Sequence, residues 1–245
     1  MKQSARIPLL DELRGFAILA MVLYHLVYDL SAMEMIDWPF FHTEPMKLIR
    51  DLFAGLFIML SGLCCLYSRS NLRRGVLCYL AGVGIEWVTS FIPGSEIRFG
   101  ILHMLGSCMV LFGLAEKWMT VIPSFAGLGG SLILFLILRR ITNRIILLPV
   151  IGSIPLPDLF YSGSLYALGL PNSTFFSADY YPLIPWGFLF FGGYYLGRLL
   201  QNTPILQPGF PRFPFLSWCG RHSLWIYLLH QPAAAAGIWI WQILR

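Results

Sequence analysis

The sequence predicts an all-α, polytopic membrane protein, and three observations lead to this fold class. Hydrophobic residues make up 57% of the 245 residues and charged residues only 12%, whereas a typical soluble domain has about 25% charged residues. The mean hydropathy is positive. Apolar stretches long enough to cross a bilayer, about 20 residues, recur along the chain. The net charge of +5 therefore reports loop charges that set membrane orientation, and it does not indicate a nucleic-acid partner.

Seven apolar segments are predicted to be transmembrane helices, with eight as the alternative. Apolar runs such as RGFAILAMVLYHLVYDL, LFAGLFIMLSGLCCLY and GLGGSLILFLIL identify the first, second and fifth segments. In chain order the segments cover about 13–33, 50–67, 73–91, 100–120, 122–138, 182–200 and 221–243. The first is too long and too charged for a cleaved signal peptide, so we expect it to remain as a helix. No internal repeat is visible, so we expect one domain over residues 1–245.

Residues 141–180 separate the fifth segment from the sixth and are rich in proline and glycine. Four prolines in the stretch ILLPVIGSIPLPDLFYSGSLYALGLPNST argue against one regular span. A re-entrant segment is the alternative form, because irregular backbone is tolerated at membrane depth where it packs against protein or lines a cavity.

The distribution of lysine and arginine indicates an N-terminus on the cytoplasmic side. This orientation places ten of the seventeen basic residues inside: Lys2, Arg6, Arg14, Arg69, Arg73, Arg74, Lys117, Arg198, Arg212 and Arg221. The outer side then holds Lys47, Arg50, Arg98, Arg139, Arg140, Arg144 and Arg245. The cluster at 139–144 argues against this orientation, which we retain because the first two cytoplasmic regions dominate.

Several common site motifs are absent from the sequence. The five cysteines show neither metal-type nor redox-type spacing, and we expect buried thiols and no bound metal. There is no Walker loop and no GxSxG motif. The candidate chemistry must therefore come from polar residues inside the apolar segments.

The first segment carries ionisable residues along one face. Arg14 and His25 are eleven residues apart, which on a helix is three turns plus roughly 20°, or ~16 Å along the axis. Asp29 follows His25 by four residues and Asp11 precedes Arg14 by three, so both lie on neighbouring positions. Ionisable groups at this depth are costly and usually face a cavity or a transport path.

His25 is the strongest candidate for chemistry on this face. An unperturbed imidazole titrates near neutral pH, which suits a general base. Asp29 could orient the ring by a hydrogen bond, although side chains one turn apart often align poorly for that. The alternative is that His25 and Asp29 hold the first helix against its neighbours by hydrogen bonds. Both interpretations stay open here.

Polar residues in later segments have two interpretations each. His103 in RFGILHML and His230 in SLWIYLLHQP could contact substrate or join helices by hydrogen bonds. Asp179 and Trp186, in and after SADYYPLIPW, could bind and stack on a sugar, or belong to an interfacial aromatic belt. Glu86 needs a partner inside the membrane, and Arg98 or Arg14 could supply it.

A basic cluster follows the second segment. Arg69, Arg73 and Arg74 lie within six residues of one another. Their presence is explained either by the enrichment of basic residues in cytoplasmic loops or by a phosphate-binding role.

Four blocks of the sequence, in order, resemble a known family. The blocks are RIPLLDELRGFAILAMVLYHLVYDL, RFGILHMLG, DYYPLIPWGFLFFGGYYLGR and GRHSLWIYLLHQP. They resemble bacterial proteins grouped with the catalytic domain of heparan-α-glucosaminide N-acetyltransferase. The Arg-x10-His spacing is also similar to the signature of the broader transmembrane acyltransferase superfamily, which includes the acyltransferase 3 type. The lysosomal enzyme is much larger, so the acceptor of this short form need not be heparan-derived glucosamine.

The resemblance implies acyl transfer across the bacterial cytoplasmic membrane. A cytoplasmic acyl-CoA, typically acetyl-CoA, would donate to a sugar amine or hydroxyl outside. Arg14, with Arg69, Arg73 and Arg74, would bind CoA phosphates. His25 would act as general base or transient acyl carrier, oriented by Asp29. The proposed acceptor-binding residues are His103, Asp179, Trp186 and His230.

The partners that follow from this interpretation are membrane lipid, acyl-CoA and a sugar or glycan acceptor, with a homodimer left open. The alternative function is a proton-coupled small-molecule transporter, which would also need a polar stripe and a broken segment near the midplane. The absence of a repeat and the small number of helices argue against a transporter.

Overall fold

The structure is a computed structural model that describes residues 7–33, 35–36, 38–149 and 152–244. Eight α-helices occur within these residues: α1 (Pro8–Ala32), α2 (Glu44–Leu63), α3 (Asn71–Thr89), α4 (Ile101–Met119), α5 (Ser124–Leu138), α6 (Leu183–Leu200), α7 (Pro214–Arg221) and α8 (Ser223–Leu244). One antiparallel hairpin pairs β1 (Ile145–Leu148) with β2 (Gly152–Pro155). The mostly helical fold class is therefore confirmed.

Each of the seven predicted segments corresponds to a helix, and α7 is an addition. Pro214 begins α7, a position where proline's missing N–H costs nothing. In the described part of the chain, four stretches are long and apolar enough to cross a membrane: Pro8–Ser31, Glu44–Tyr67, Ile101–Met119 and Ser124–Asn143. The count of seven spans and the orientation stay predictions.

In the described residues between α5 and α6, the proline-rich stretch forms no regular transmembrane span. The β1–β2 hairpin and short 3-10 turns over Ile141–Asn143, Asp158–Tyr161 and Tyr166–Leu168 replace it. Arg144 precedes the hairpin in the left-handed region, with a φ of 63°, and forms an ion pair with Asp158. Whether this segment re-enters the membrane stays a prediction.

The helices group into two compact units. The first unit contains residues 1–60 and 202–245, and in it α1 packs against α7 and α8. The second unit contains residues 61–201, and in it α3 packs on α4, α5 on α6, and α4 on α6. The single-domain organisation expected from the sequence stays a prediction.

Two glycines allow close backbone contact between α1 and α7 in the first unit. A Cβ on Gly15 would collide with the carbonyl of Leu216, and a Cβ on Gly220 would collide with the carbonyl of Asp11. Small residues at helix contacts let backbones approach closely inside membranes. The buried Glu12 strengthens the same contact, because its Oε1 accepts a hydrogen bond from the Phe213 backbone N–H at 3.0 Å. The start of α1, including Arg14, is thereby held in place.

Substituting Gly220 by alanine is expected to destabilise the first unit. The new Cβ would meet backbone atoms of Asp11, which cannot move aside as a flexible side chain would. Overpacking of this kind costs about 1–3 kcal/mol. Gly237→Ala is the matched control, since a Cβ there meets nothing within 4 Å. Thermal unfolding in detergent should show a lower midpoint for Gly220→Ala only, and equal midpoints for the two variants would contradict the packing argument.

Candidate functional site

The long helix α1 carries the main candidate residues of the first unit. Its 25 residues form one continuous helix, so Arg14 and His25 lie three turns apart, ~16 Å along the axis. Pro8 in its first turn suits a helix start, and Asp11 complements the helix dipole there. Arg14, His25 and Asp29 are all half-buried.

Arg14 is positioned by a hydroxyl group and an aromatic ring. Its Nη2 donates to Ser223 Oγ at 2.9 Å, and its guanidinium carbon lies 6.0 Å from the centroid of the Phe57 ring. Its Nε is buried without a hydrogen-bond partner among the described residues. None of the ion pairs in the described part of the chain involves Arg14. The guanidinium charge therefore remains available to an anion.

Ser223 is a site residue that sequence reasoning missed. It begins α8 and is only 2% exposed. Its motif, GRHSLW, belongs to a block that resembles the family, but no spacing rule links a serine in α8 to an arginine in α1. Their contact arises from tertiary packing over a sequence separation of 209 residues.

His25 lies beside a second histidine of the first unit. The ring centroids of His25 on α1 and His230 on α8 are 5.2 Å apart, with 53° between the planes. Tyr24 contacts the His25 ring edge-on at 5.8 Å. The sequence predicts that His230 binds the acceptor, and in the structure its ring lies beside the ring of His25.

The tautomer of His230 follows from its hydrogen bond. Its Nδ1 lies 2.6 Å from the carbonyl oxygen of Tyr227. A carbonyl oxygen can only accept, so Nδ1 carries the hydrogen and, in the neutral ring, Nε2 carries the lone pair. His230 can therefore take up a proton only at Nε2.

Asp29 is near His25 along the chain but does not bond to it in this conformation. Among the described residues, no ion pair or hydrogen bond joins the two side chains. The orienting role of Asp29 stays a prediction.

His103 lies in the second unit, buried between α3 and α4. It is 2% exposed, and its Nε2 lies 3.3 Å from Glu86 Oε2. The ring of Phe99 stacks on it at 5.7 Å, and Tyr79 contacts it edge-on at 5.0 Å. A Cβ on Gly82 would meet the His103 Nδ1 at 2.9 Å. The expectation of an arginine partner for Glu86 is corrected by this contact, because the partner is His103.

Asp179 and Trp186 also belong to the second unit. A Cβ on Gly100 would lie 3.3 Å from Asp179 Oδ2, so the carboxylate lies at the start of α4. Trp186 contacts Tyr181 at 5.0 Å and Phe135 at 5.5 Å between ring centroids. Both Asp179 and Trp186 are half-buried, and their roles in sugar binding stay predictions.

The basic cluster of the second unit lies at the start of α3. Ser70 caps this helix by accepting a hydrogen bond from the Arg73 backbone N–H at 3.3 Å. Arg69 and Arg73 are exposed and Arg74 is half-buried. The cap fixes the backbone that carries these three side chains, and their phosphate-binding role stays a prediction.

Removing the hydrogen-bond acceptor that Glu86 offers to His103 is expected to destabilise the second unit. In Glu86→Leu the Nε2 of the buried His103 loses its partner, which costs about 1–3 kcal/mol. Glu86→Gln is the matched control, because its amide oxygen can still accept from Nε2. Thermal unfolding of the two variants checks this expectation, and a Glu86→Leu protein as stable as Glu86→Gln would contradict it.

In the first unit the structure brings the rings of His25 and His230 together, and Arg14 on the same helix α1 takes part in none of the ion pairs among the described residues. The described part of the chain also has four stretches long and apolar enough to cross a membrane. A family model described as heparan-alpha-glucosaminide N-acetyltransferase, catalytic, matches residues 6–232. The chain belongs to this family, and the resemblance in its sequence blocks is confirmed. No curated protein and no solved structure matches the chain. The family is one of membrane acetyltransferases, and the match gives the transporter alternative no support.

Proposed function

We propose that this protein transfers an acetyl group from cytoplasmic acetyl-CoA to an extracytoplasmic sugar amine or hydroxyl. The observation that carries the proposal is the arrangement along α1. His25 contacts a second imidazole, and Arg14 lies on the same helix with its Nε unpartnered among the described residues. A base at one point and an anion-binding group at another are what a CoA-dependent transfer needs.

Arg14 is the proposed contact for the phosphates of the donor. A guanidinium group offers several N–H donors in a planar fork that matches phosphate oxygens. Ser223 holds Nη2, which restricts the side chain before the donor arrives and lowers the entropy cost of binding. Arg69, Arg73 and Arg74 are proposed to attract the same phosphates by their positive charge.

His25 is the proposed general base. It takes the proton from the acceptor N–H or O–H, and the acceptor atom then attacks the thioester carbonyl carbon. The new bond to carbon forms, the carbon–sulfur bond breaks, and the proton ends on the sulfur of CoA. A two-step variant, with the acetyl group carried briefly on the His25 ring, has the same overall balance.

Asp179, Trp186 and His103 are the proposed acceptor-binding residues. A carboxylate suits sugar hydroxyls or an ammonium group, and an indole suits the apolar face of a sugar ring. Asp179 lies close to Gly100 at the start of α4, the helix that also carries His103.

Purified protein in nanodiscs tests the proposed function. Acetyl-CoA is added with a panel of hexosamines and glycan fragments, and the released CoA thiol is followed together with the mass of the acceptor. We expect thiol release that depends on an acceptor, with a matching gain of one acetyl group on that acceptor. Absence of both acetyl-CoA binding and thiol release would contradict the proposal and favour a transporter.

A further inference from the structure

We propose that His25 and His230 form a coupled pair that takes up one proton and shares it between the two rings, and that His230 is a positioning residue that acts on the reaction through His25. The role of the pair in acyl transfer rests on the function proposed above. The pairing itself rests on the structure of the first unit alone.

The separation of the two rings is the first argument. At 5.2 Å between centroids, two imidazolium charges would repel strongly, since little water surrounds half-buried groups on membrane helices to screen them. Such a pair binds its first proton far more readily than its second, and the two sites titrate as one unit.

The fixed tautomer of His230 is the second argument. The bond from Nδ1 to the Tyr227 carbonyl holds the ring to its own helix and leaves Nε2 as the proton-accepting atom. An imidazole held in this way keeps one geometry as protons arrive and leave. His230 therefore keeps a fixed position beside His25, and its charge changes the proton affinity of His25.

His222 offers an internal comparison. Its Nδ1 also lies near a backbone carbonyl of its own segment, that of Trp218, at 2.9 Å. The aromatic partner of its ring is Trp218, at 4.7 Å between centroids. His222 thus shares the hydrogen-bonding mode of His230 without its histidine neighbour.

Other charged and titratable groups around the pair come from three helices. On α1 they are Asp29 and Tyr24, on α8 Tyr227, and on α2 Arg50, which interacts electrostatically with His25. The guanidinium of Arg50 is bound to Asp51 at 2.8 Å. None of these groups changes when His230 is replaced, so a change in the titration of His25 then reports the loss of His230.

In the reaction, the pair stores the proton between two steps. The acceptor gives its proton to His25 as its nitrogen or oxygen attacks the acetyl carbon. The proton is shared with His230 while the carbon–sulfur bond breaks, and it then passes to the departing CoA sulfur. The pair begins and ends the cycle with the same number of protons.

The variant His230→Gln tests the proposal. A glutamine amide can still donate to the Tyr227 carbonyl, but it cannot take up a proton. The histidines are labelled with 15N in nanodisc-embedded protein, and the titration of His25 is followed by NMR beside the pH dependence of kcat. We expect the titration midpoint of His25 to move by about one pH unit or more, kcat to fall about tenfold or more, and the KM for acetyl-CoA to stay unchanged. His222→Gln is expected to leave all three quantities unchanged.

An unchanged His25 titration in folded His230→Gln would overturn the pairing. If the wild-type protein acetylates no acceptor, the proposed function fails, while the NMR titration still decides whether the two rings share a proton. Should His230→Gln fail to fold, His25→Gln gives the converse comparison: a changed His230 titration supports the pairing, and an unchanged one overturns it.

Discussion

Replacing His25 with alanine is expected to abolish acetyl transfer and to leave acetyl-CoA binding nearly intact. His25 is the proposed proton acceptor, and general acid–base catalysis contributes about 10²–10⁴-fold to rates. Arg14, the proposed phosphate contact, lies ~16 Å away along α1 and is held by Ser223 rather than by His25. Thiol release under saturating donor measures the rate, and calorimetry measures the affinity for acetyl-CoA.

Tyr28→Phe is the matched control for the His25 variant. Tyr28 lies on the same helix and is 47% exposed, so the loss of its hydroxyl group should change neither rate nor affinity. A His25→Ala protein with the wild-type rate would remove His25 from the mechanism. A His25→Ala protein that also loses acetyl-CoA binding would place His25 in donor binding instead of proton transfer.

Replacing Arg14 with alanine is expected to weaken acetyl-CoA binding about 10- to 100-fold. A hydrogen bond to a charged group contributes about 1.5–3 kcal/mol, and each 1.4 kcal/mol is a factor of about ten in affinity. Arg14→Lys keeps the positive charge but loses the planar fork of N–H donors. Its affinity for acetyl-CoA should therefore lie between those of the wild-type protein and Arg14→Ala. The dissociation constant for acetyl-CoA, and its rise with salt concentration, measure this effect.

Arg212→Ala controls for loss of a basic residue in the same unit. Arg212 is exposed, so its removal should leave the affinity within about twofold, as expected for a screened surface charge. Equal affinities of Arg14→Ala and wild-type protein would exclude a phosphate contact at Arg14. If Arg14→Ala lost as much affinity for dephospho-CoA as for CoA, this would argue against a contact with the phosphate that the analogue lacks.

The helices could be predicted from the sequence because each long apolar run has one feasible backbone conformation inside a membrane. All seven predicted segments correspond to helices. The short α7 was missed since its eight residues are too few for a periodic pattern and follow several prolines. The β1–β2 hairpin was also missed, because a proline-rich stretch shows where a helix is excluded and does not specify what replaces it.

The candidate site could be predicted only where it depends on one helix. The spacing of Arg14 and His25 fixes their relation because α1 is continuous. The contacts of Arg14 with Ser223 and of His25 with His230 join α1 to α8, and no local periodicity encodes such distant pairs. The predicted arginine partner of Glu86 was wrong for the same reason. A buried carboxylate needs a hydrogen-bond donor, but the sequence does not show whether an arginine or a histidine supplies it.

Acetyl transfer across a sealed bilayer tests the central claim most directly. Proteoliposomes are loaded with isotopically labelled acetyl-CoA, the acceptor identified in the panel is added outside, and His25→Ala proteoliposomes serve as the control. The account predicts labelled acetyl groups on the external acceptor with wild-type protein and none with the His25 variant. Labelled product that forms only when donor and acceptor share one compartment, or that forms equally with His25→Ala, would contradict it.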